Sequence, residues 1–241
     1  MRVTGEWPNP IAITKGWARA HARPWNRNRP EAYLRLVRGS AHFLGLATAQ
    51  TLELGPPAVI SPPLMPSSQQ PWLAAGYRGY TSLQLLRKPI ETESPSLIPV
   101  TEVHHPDWAR IIEIDGAAFG ADWQAELPAL NEAMKSAGTT AMLGISDPGG
   151  GAELAGYAIV GVSAATGYLQ RLAVAPAFQR QGLGRSLTRS SVNWCRRRGA
   201  RQVVLNTKPD NQAAQKMYIS EGFQLLPDRL ELLRYGDSVS P

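Results

Sequence analysis

The sequence predicts an α/β (α+β) protein with a mixed, mostly antiparallel sheet and a second, smaller unit ahead of it. Three observations carry this. Strand-like and helical runs alternate through residues 97–235. One of those strands enters a glycine-bearing turn that opens a long amphipathic helix. Finally, part of the N-terminal third echoes the C-terminal pattern. Val59-Ile60-Ser61 and Trp72-Leu73-Ala74-Ala75-Gly76-Tyr77 align without gaps on Leu205-Asn206-Thr207 and Tyr218-Ile219-Ser220-Glu221-Gly222-Phe223, at an offset of 146 (206 minus 60). Leu83–Arg87 then echoes Leu230–Arg234 one residue further on. This reads as a decayed internal repeat of strand, helix, strand and strand.

The elements follow in order. Residues 1–31 carry Pro8, Pro10, Pro24 and Pro30 without a clear period, and an irregular basic leader is expected there. Tyr33–Val37 alternates like a strand, Ala41–Leu54 reads as a helix, and Ala58–Ile60 as a short buried strand. The proline-rich stretch from Pro56 to Pro71 reads as loop. Lys88–Pro99 is rich in Pro, Ser, Thr and Glu and reads as a linker, which divides the chain into 1–87, a linker at 88–96, a main domain at 97–235 and a tail at 236–241. In the main domain Leu97–Val103 is strand-like, and Pro106 suits the first turn of a helix carrying Trp108, Ile111, Ile114 and Ala118. Gln124–Ala137 is a second helix. Thr139–Ser146 and Leu154–Val162 flank an Asp147-Pro148-Gly149-Gly150-Gly151 turn as a hairpin. Gly167–Ala175 is a strand, and Gly182–Arg198 a helix with Leu183, Leu187, Ser191 and Trp194 on one face, ended by Gly199. Gln202–Thr207 is a strand, and Asn211–Glu221 a helix with Asp210 as its N-cap. Two short strands, near Phe223–Leu226 and Arg229–Tyr235, close the chain.

The chain has 241 residues, a net charge of +6 and one cysteine, Cys195. Residues 1–40 hold eight basic side chains against Glu6 and Glu31, an excess equal to that of the whole chain. Trp7, Trp17, Trp25 and Tyr33 are interleaved with them, so a nucleic acid is a conceivable partner of this arm, although no nucleic-acid motif accompanies the charge and a solvated leader is the simpler reading. A single cysteine excludes an internal disulfide framework. Met1–Pro8 has no apolar h-region, and no apolar run approaches the roughly 20 residues of a membrane helix. A cytoplasmic protein without a membrane partner is expected.

The strongest chemical signal is Leu172-Ala173-Val174-Ala175-Pro176-Ala177-Phe178-Gln179-Arg180-Gln181-Gly182-Leu183-Gly184-Arg185. Gly182 and Gly184 lack Cβ atoms, so a ligand can approach the backbone closely. The first-turn N–H groups of the helix point one way and, with the helix dipole, suit a pyrophosphate. Arg180 and Arg185 can add charge-assisted contacts. A Walker loop would need Lys-Ser or Lys-Thr after the last glycine, where Arg185 stands. A dinucleotide fingerprint would need a third glycine where Leu187 stands.

Gln179-x-x-Gly182-x-Gly184 after Leu172-Ala173-Val174-x-Pro176 resembles the acyl-CoA motif of the GNAT superfamily of N-acetyltransferases. Asp210-Asn211-x-x-Ala214-x-x-Met217-Tyr218-x-x-x-Gly222-Phe223 resembles its second hallmark, and Asp115–Phe119 fits its first helix. The resemblance covers about 97–235 and implies a GNAT fold, with acetyl-CoA as cosubstrate and an amine as acceptor. It implies that backbone groups of Leu172, Ala173 and Val174 hold the pantetheine arm, that Gln179, Arg180, Gln181, Gly182, Leu183, Gly184 and Arg185 hold the pyrophosphate, and that Asn211 reaches the CoA arm. Tyr218 would protonate the departing thiolate. On this reading the N-terminal unit is a degenerate half-GNAT without a CoA site, since Trp72 stands at the tyrosine position.

The motif run is similar to that of the ribosomal-protein-alanine N-acetyltransferases, which act on protein N-termini. That group carries a glutamate base where this chain has Asn206, and another family position for a base holds Tyr168. A site without a carboxylate base favours an acceptor that is already partly neutral. An α-amine with pKa about 7.8 is roughly one-quarter neutral at pH 7.4, and a lysine only about one part in a thousand. The expected acceptor is therefore an N-terminus or a small activated amine, unless a water chain to Glu113, Asp115 or Glu153 supplies the base. The alternative is a non-catalytic acyl-CoA-binding regulator. His104-His105-Pro106-Asp107 is read as a helix entry rather than a metal site, and Cys195 as an inert packed thiol.

Overall fold

The computed structural model describes residues 1–147, 149–151 and 153–236. Pro148 of the expected hairpin turn and residues 237–241 of the expected tail lie outside the described residues. The strands are β1 (Arg2–Thr4), β2 (Ile11–Lys15), β3 (Ala18–Asn26), β4 (Arg29–Arg38), β5 (Val59–Ile60), β6 (Arg78–Pro89), β7 (Thr101–Glu102), β8 (Thr139–Ser146), β9 (Leu154–Ser163), β10 (Thr166–Val174), β11 (Gln202–Thr207) and β12 (Gln224–Tyr235). The helices are α1 (Ala41–Leu52), α2 (Gln70–Ala74), α3 (Trp108–Phe119), α4 (Leu127–Ala133), α5 (Leu183–Arg197) and α6 (Gln212–Ser220). The chain forms two compact units: residues 1–83 with those from 228 onward, and residues 84–227.

In the first unit β1 to β4 form an antiparallel meander, β5 lies parallel to β4, and β12 pairs with β5. The expectation of an irregular leader over 1–31 is therefore wrong. Ile11, Ile13, Ala18, Ala20, Ala22, Ala32 and Leu34 all point inward and are buried. Arg19, His21, Arg23 and Arg35 alternate with them on the outer side. This is strand period 2, hidden because alanine rather than a β-branched residue fills most inner positions. The basic arm is the outer face of a sheet. Part of its charge is met within the unit, as in the Arg29–Glu31 pair. Ser40 caps α1, which packs Phe43 and Leu44 into a core shared with Trp72 and Tyr77.

The second unit has the strand order β6-β11-β10-β9-β8-β7, antiparallel except for the β10–β11 pair. One face carries α5, whose Leu183, Leu187, Ser191 and Trp194 are buried as their spacing predicts. The other carries α3 and α4 through Ile111, Ile114 and Leu130. Three boundaries differ from expectation. Pro106, expected in the first turn of α3, lies ahead of that helix, and Asp107 is its N-cap. Asn211, not Asp210, caps α6. The second helix shrinks to α4, with Pro128 in its first turn, because Gln124 and Ala125 are held to Gly120 and Asp115 instead.

The repeat reaches further than the aligned segments. In each unit a meander leads to a strand, a helix and a parallel strand: β4-α1-β5 in one and β10-α5-β11 in the other. A second helix and a closing strand follow. Each closing strand is one long strand rather than two short ones. The end of β6 pairs with β11, and the end of β12 with β5, so each unit takes its closing strand from the other repeat. Lys88 and Pro89, expected in a linker, belong to β6 and lie opposite Val203 and Gln202.

Cys195 is fully buried against Gly167, and burial pushes its thiol up to about 12. A Cβ on Gly167 would stand 2.7 Å from the Cys195 sulfur. Gly167→Ala is expected to destabilise the protein by about 1–3 kcal/mol through overpacking, read as a lower urea midpoint with an unchanged slope.

Candidate functional site

The site begins where two parallel strands part. β10 pairs with β11 from Thr166 opposite Gln202 to Leu169 opposite Leu205. A bulge then falls between Leu169 and Arg171, after which β10 follows β9 alone. β11 stays paired with β6 to its end, with Asn206 opposite Leu85 and Thr207 opposite Gln84. The Ala175 N–H donates to Ala155 O on the β9 side. By the alternation of an antiparallel ladder, Leu172 and Val174 direct their backbone polar groups away from β9, into the gap. Gln179 Nε2 donates to Val174 O at 3.0 Å.

From Val174 the chain makes a tight turn through Pro176–Phe178 and reaches the start of α5. Arg180 and Gly182 both adopt positive φ, +62° and +87°, a region that favours glycine at the second position. Ser40, Asp107 and Asn211 cap α1, α3 and α6 with their side chains, but Gly182 offers none to α5, the longest helix. The first-turn N–H groups of α5 thus have neither an intrahelical nor a side-chain partner. They open on a groove of about 670 Å³. A Cβ on Gly184 would lie 3.4 Å from the Met217 sulfur, inside that groove.

Of the residues singled out in the sequence, Val174, Gln179, Arg180, Gln181, Gly182, Gly184 and Arg185 line the groove. Ala173 and Leu183 are buried in the two cores, and Ala173 faces β9. The Asn211 side chain accepts from Ala214 N as a helix cap. Arg185 is already engaged, 2.9 Å from Glu221 and 3.2 Å from the Ser220 hydroxyl, so an anion would share it. The wall also contains Leu97, Ile98, Ser186, Ala213, Ala214 and Met217. Met217 sits inside the second motif and was legible there. Leu97 and Ile98 carry no sequence signal.

Tyr218 is not on the groove wall but directly follows Met217, which is. Its ring packs edge-on against Phe223, 5.7 Å between centroids. It is 7% exposed, and burial pushes its phenol well above the ordinary tyrosine range. The hydroxyl therefore keeps its proton at any physiological pH.

The three carboxylates considered as bases are otherwise occupied. Asp115, with no exposed surface, accepts from Arg171 Nε and Nη2 at 2.5 and 2.7 Å, from the Tyr157 hydroxyl, and from Ala125 N at 2.6 Å. Arg171 also donates to Trp123 O at 2.7 Å and lies 3.8 Å from the centre of the Phe119 ring. Buried in the core and beside this carboxylate, Tyr157 is held well above the usual phenol range. Glu113 and Glu153 both pair with Arg110 at 2.8 Å on the surface. Tyr168 and Asn206, at the two positions where the resemblance implies a base, are exposed.

The sequence profile of the acetyltransferase (GNAT) family matches residues 108–223. Among curated proteins the chain is 39% identical over 57 residues to N-alpha-acetyltransferase 30 of Schizosaccharomyces pombe, covering 24% of this chain and 38% of that one. It is 38% identical over 79 residues to mycothiol acetyltransferase of Beutenbergia cavernae, covering 33% and 27%. It is 37% identical over 71 residues to ribosomal protein bS18-alanine N-acetyltransferase of Escherichia coli, covering 30% and 48%. The chain thus spans less than half the length of each. Among solved structures it resembles a tandem GNAT protein from the clavulanic acid biosynthesis pathway, with TM-score 0.62 and 14% identity over 96% of this chain and 83% of that one. It also resembles a GNAT-family chain from Novosphingobium aromaticivorans, with TM-score 0.61 and 16% identity over 94% and 92%. These two likenesses concern the fold.

Proposed function

We propose that this chain, whose residues 108–223 match the profile of the acetyltransferase (GNAT) family, is a member of that family and transfers an acetyl group from acetyl-CoA to a primary amine of low pKa, such as a protein N-terminus. The observation that carries this reading is the uncapped start of α5. Its unpartnered N–H groups, the left-handed Gly182 and the Cβ-less Gly184 form a cradle that a diphosphate fits. The outward-turned backbone of Leu172 and Val174 would hold the pantetheine arm in strand-like fashion in the gap between β10 and β11. Gln179, by donating to Val174 O, holds the turn against the strand end.

In the reaction a neutral amine attacks the thioester carbonyl, a C–N bond forms, the C–S bond breaks, the thiolate leaves with a proton from Tyr218, and the proton shed by the acylated nitrogen returns to the tyrosinate through water. Tyr218 is the proton donor to that thiolate. Its raised pKa makes it a weak acid but a reliable donor, since it never ionises near neutrality. No carboxylate takes the amine's own proton. Asp115 is bound by Arg171, and Asn206 and Tyr168 replace the family's glutamates. The site therefore relies on an acceptor that deprotonates unaided. A reducing cytoplasmic location suits the buried, unpaired Cys195.

The test is acetyl-CoA turnover followed by free-thiol release against free-N-terminus peptides, small amines and N-terminally blocked lysine peptides. The pH profile carries the sign. Because the neutral amine reacts, the rate with an N-terminal peptide should climb about tenfold per pH unit below roughly pH 7, bend near pH 8 and stay level to about pH 9. A lysine acceptor would still be climbing there. A blocked lysine peptide acetylated as fast as its free-N-terminus counterpart overturns the acceptor assignment. Tight acetyl-CoA binding without thiol release for any acceptor favours the regulator reading.

A further inference from the structure

The segment between β6 and β7 is not a free linker. It runs along α5 from the helix's last turns to its first, held by a different helix residue at each step. Arg196 donates to the Glu93 carboxylate at 2.7 Å. Asn193 clamps Ser94 twice, accepting from its N–H at 3.2 Å and donating to its carbonyl at 2.7 Å. Arg189 donates to Pro95 O at 3.0 Å, and Ser96 approaches Ser186 O at 3.5 Å. The strap ends over the glycine turn, where Ile98 Cδ1 would lie 3.9 Å from a Cβ on Gly182.

This path delivers two apolar side chains to the groove rim. Ile98 packs partly into the core beside α5. Leu97, on the groove wall, is 80% exposed, the highest exposure of any large hydrophobic among the described residues. An exposed leucine held by an anchored strap beside a diphosphate cradle gains most by covering an apolar surface that arrives with the ligand. Val174, on the same groove wall, would serve the arm of the ligand, which leaves the adenosine on the other side of the diphosphate as the part of CoA that brings a flat apolar surface to the rim at Leu97.

We propose that the strap over residues 93–98 carries Leu97 and Ile98 into the wall of the cosubstrate site and that Leu97 covers the adenine end of CoA. This rests on the acetyl-CoA reading above, and the experiment separates the two. Binding of CoA and of 4′-phosphopantetheine, which lacks the adenosine part, is measured by titration calorimetry on the full chain, alone and as Leu97→Ala and Leu97→Met. Leu97 is exposed, so neither variant disturbs the core. Leu97→Ala should weaken CoA roughly fivefold and leave 4′-phosphopantetheine within error, and Leu97→Met should restore CoA affinity. Unchanged CoA affinity in Leu97→Ala, or equal weakening of both ligands, overturns the assignment while leaving the acetyl-CoA reading intact. A wild-type chain that binds no CoA overturns both.

Discussion

Asp115→Asn is expected to destabilise the protein by about 3–5 kcal/mol. Asp115 has no exposed surface and is the acceptor for both forks of Arg171, for the Tyr157 hydroxyl and for the Ala125 N–H. An amide keeps one acceptor oxygen but aims an NH₂ group at donors and leaves the Arg171 charge without its counter-ion. Arg171→Met should cost a similar amount by stranding the carboxylate. The pair removed together, as Asp115→Leu with Arg171→Met, should lie closer to wild type than either single change, because no uncompensated charge remains. Urea midpoints for the wild type, Asp115→Leu, Arg171→Met and the double variant check this, and strictly additive losses in the double variant would refute it. The cluster has a second consequence. Arg171 follows the bulge in β10, and through Trp123 O and Ala125 N the pair ties the α3–α4 connection to that strand. Its loss should therefore also loosen Leu172 and Val174, which face the gap between the strands.

Tyr218→Phe is expected to lower kcat roughly a hundredfold while leaving CoA affinity within about twofold. The ring stays packed on Phe223, so the fold is retained and only the hydroxyl is lost. Because burial already holds the phenol protonated, the wild-type profile should show no fall from tyrosine ionisation below about pH 10. A leaving thiolate of pKa about 8.5 gains from the donated hydrogen bond in the transition state more than in the ground state, so the loss should appear in kcat rather than in KM for acetyl-CoA. A loss smaller than about threefold would remove Tyr218 from the chemistry. So would an equal loss in a thioester whose leaving group is already a weak base.

Much of the second unit was legible in the sequence. Thr139–Ser146 and Gln202–Thr207 have the same bounds in the structure. The α5 face of Leu183, Leu187, Ser191 and Trp194 is buried as its spacing predicts. These segments are long, strongly periodic and bounded by turn residues, so local pattern and tertiary packing agree. The glycine turn was legible for another reason. Positive φ at Gly182 and the missing Cβ at Gly184 are demands that few residues meet, and the sequence states them directly.

By itself, then, the sequence determined the α/β class, the strand–helix–strand at the heart of the second unit, and most of the groove's glycine-rich wall. Only tertiary structure decided the rest. The N-terminal meander was hidden because alanine fills its inner positions, and alanine does not announce burial. The exchange of closing strands depends on which edge each strand meets, a long-range choice that no local window contains. The carboxylates were decided in space. Asp115 looks like an available base in sequence, yet its partner Arg171 is 56 residues away, and a buried carboxylate must find such a charge to stay ionised. The strap was decided the same way: a stretch with linker composition became a groove wall because α5 presents hydrogen-bonding side chains along its length, and they fix Leu97 where no pattern in its own segment would put it.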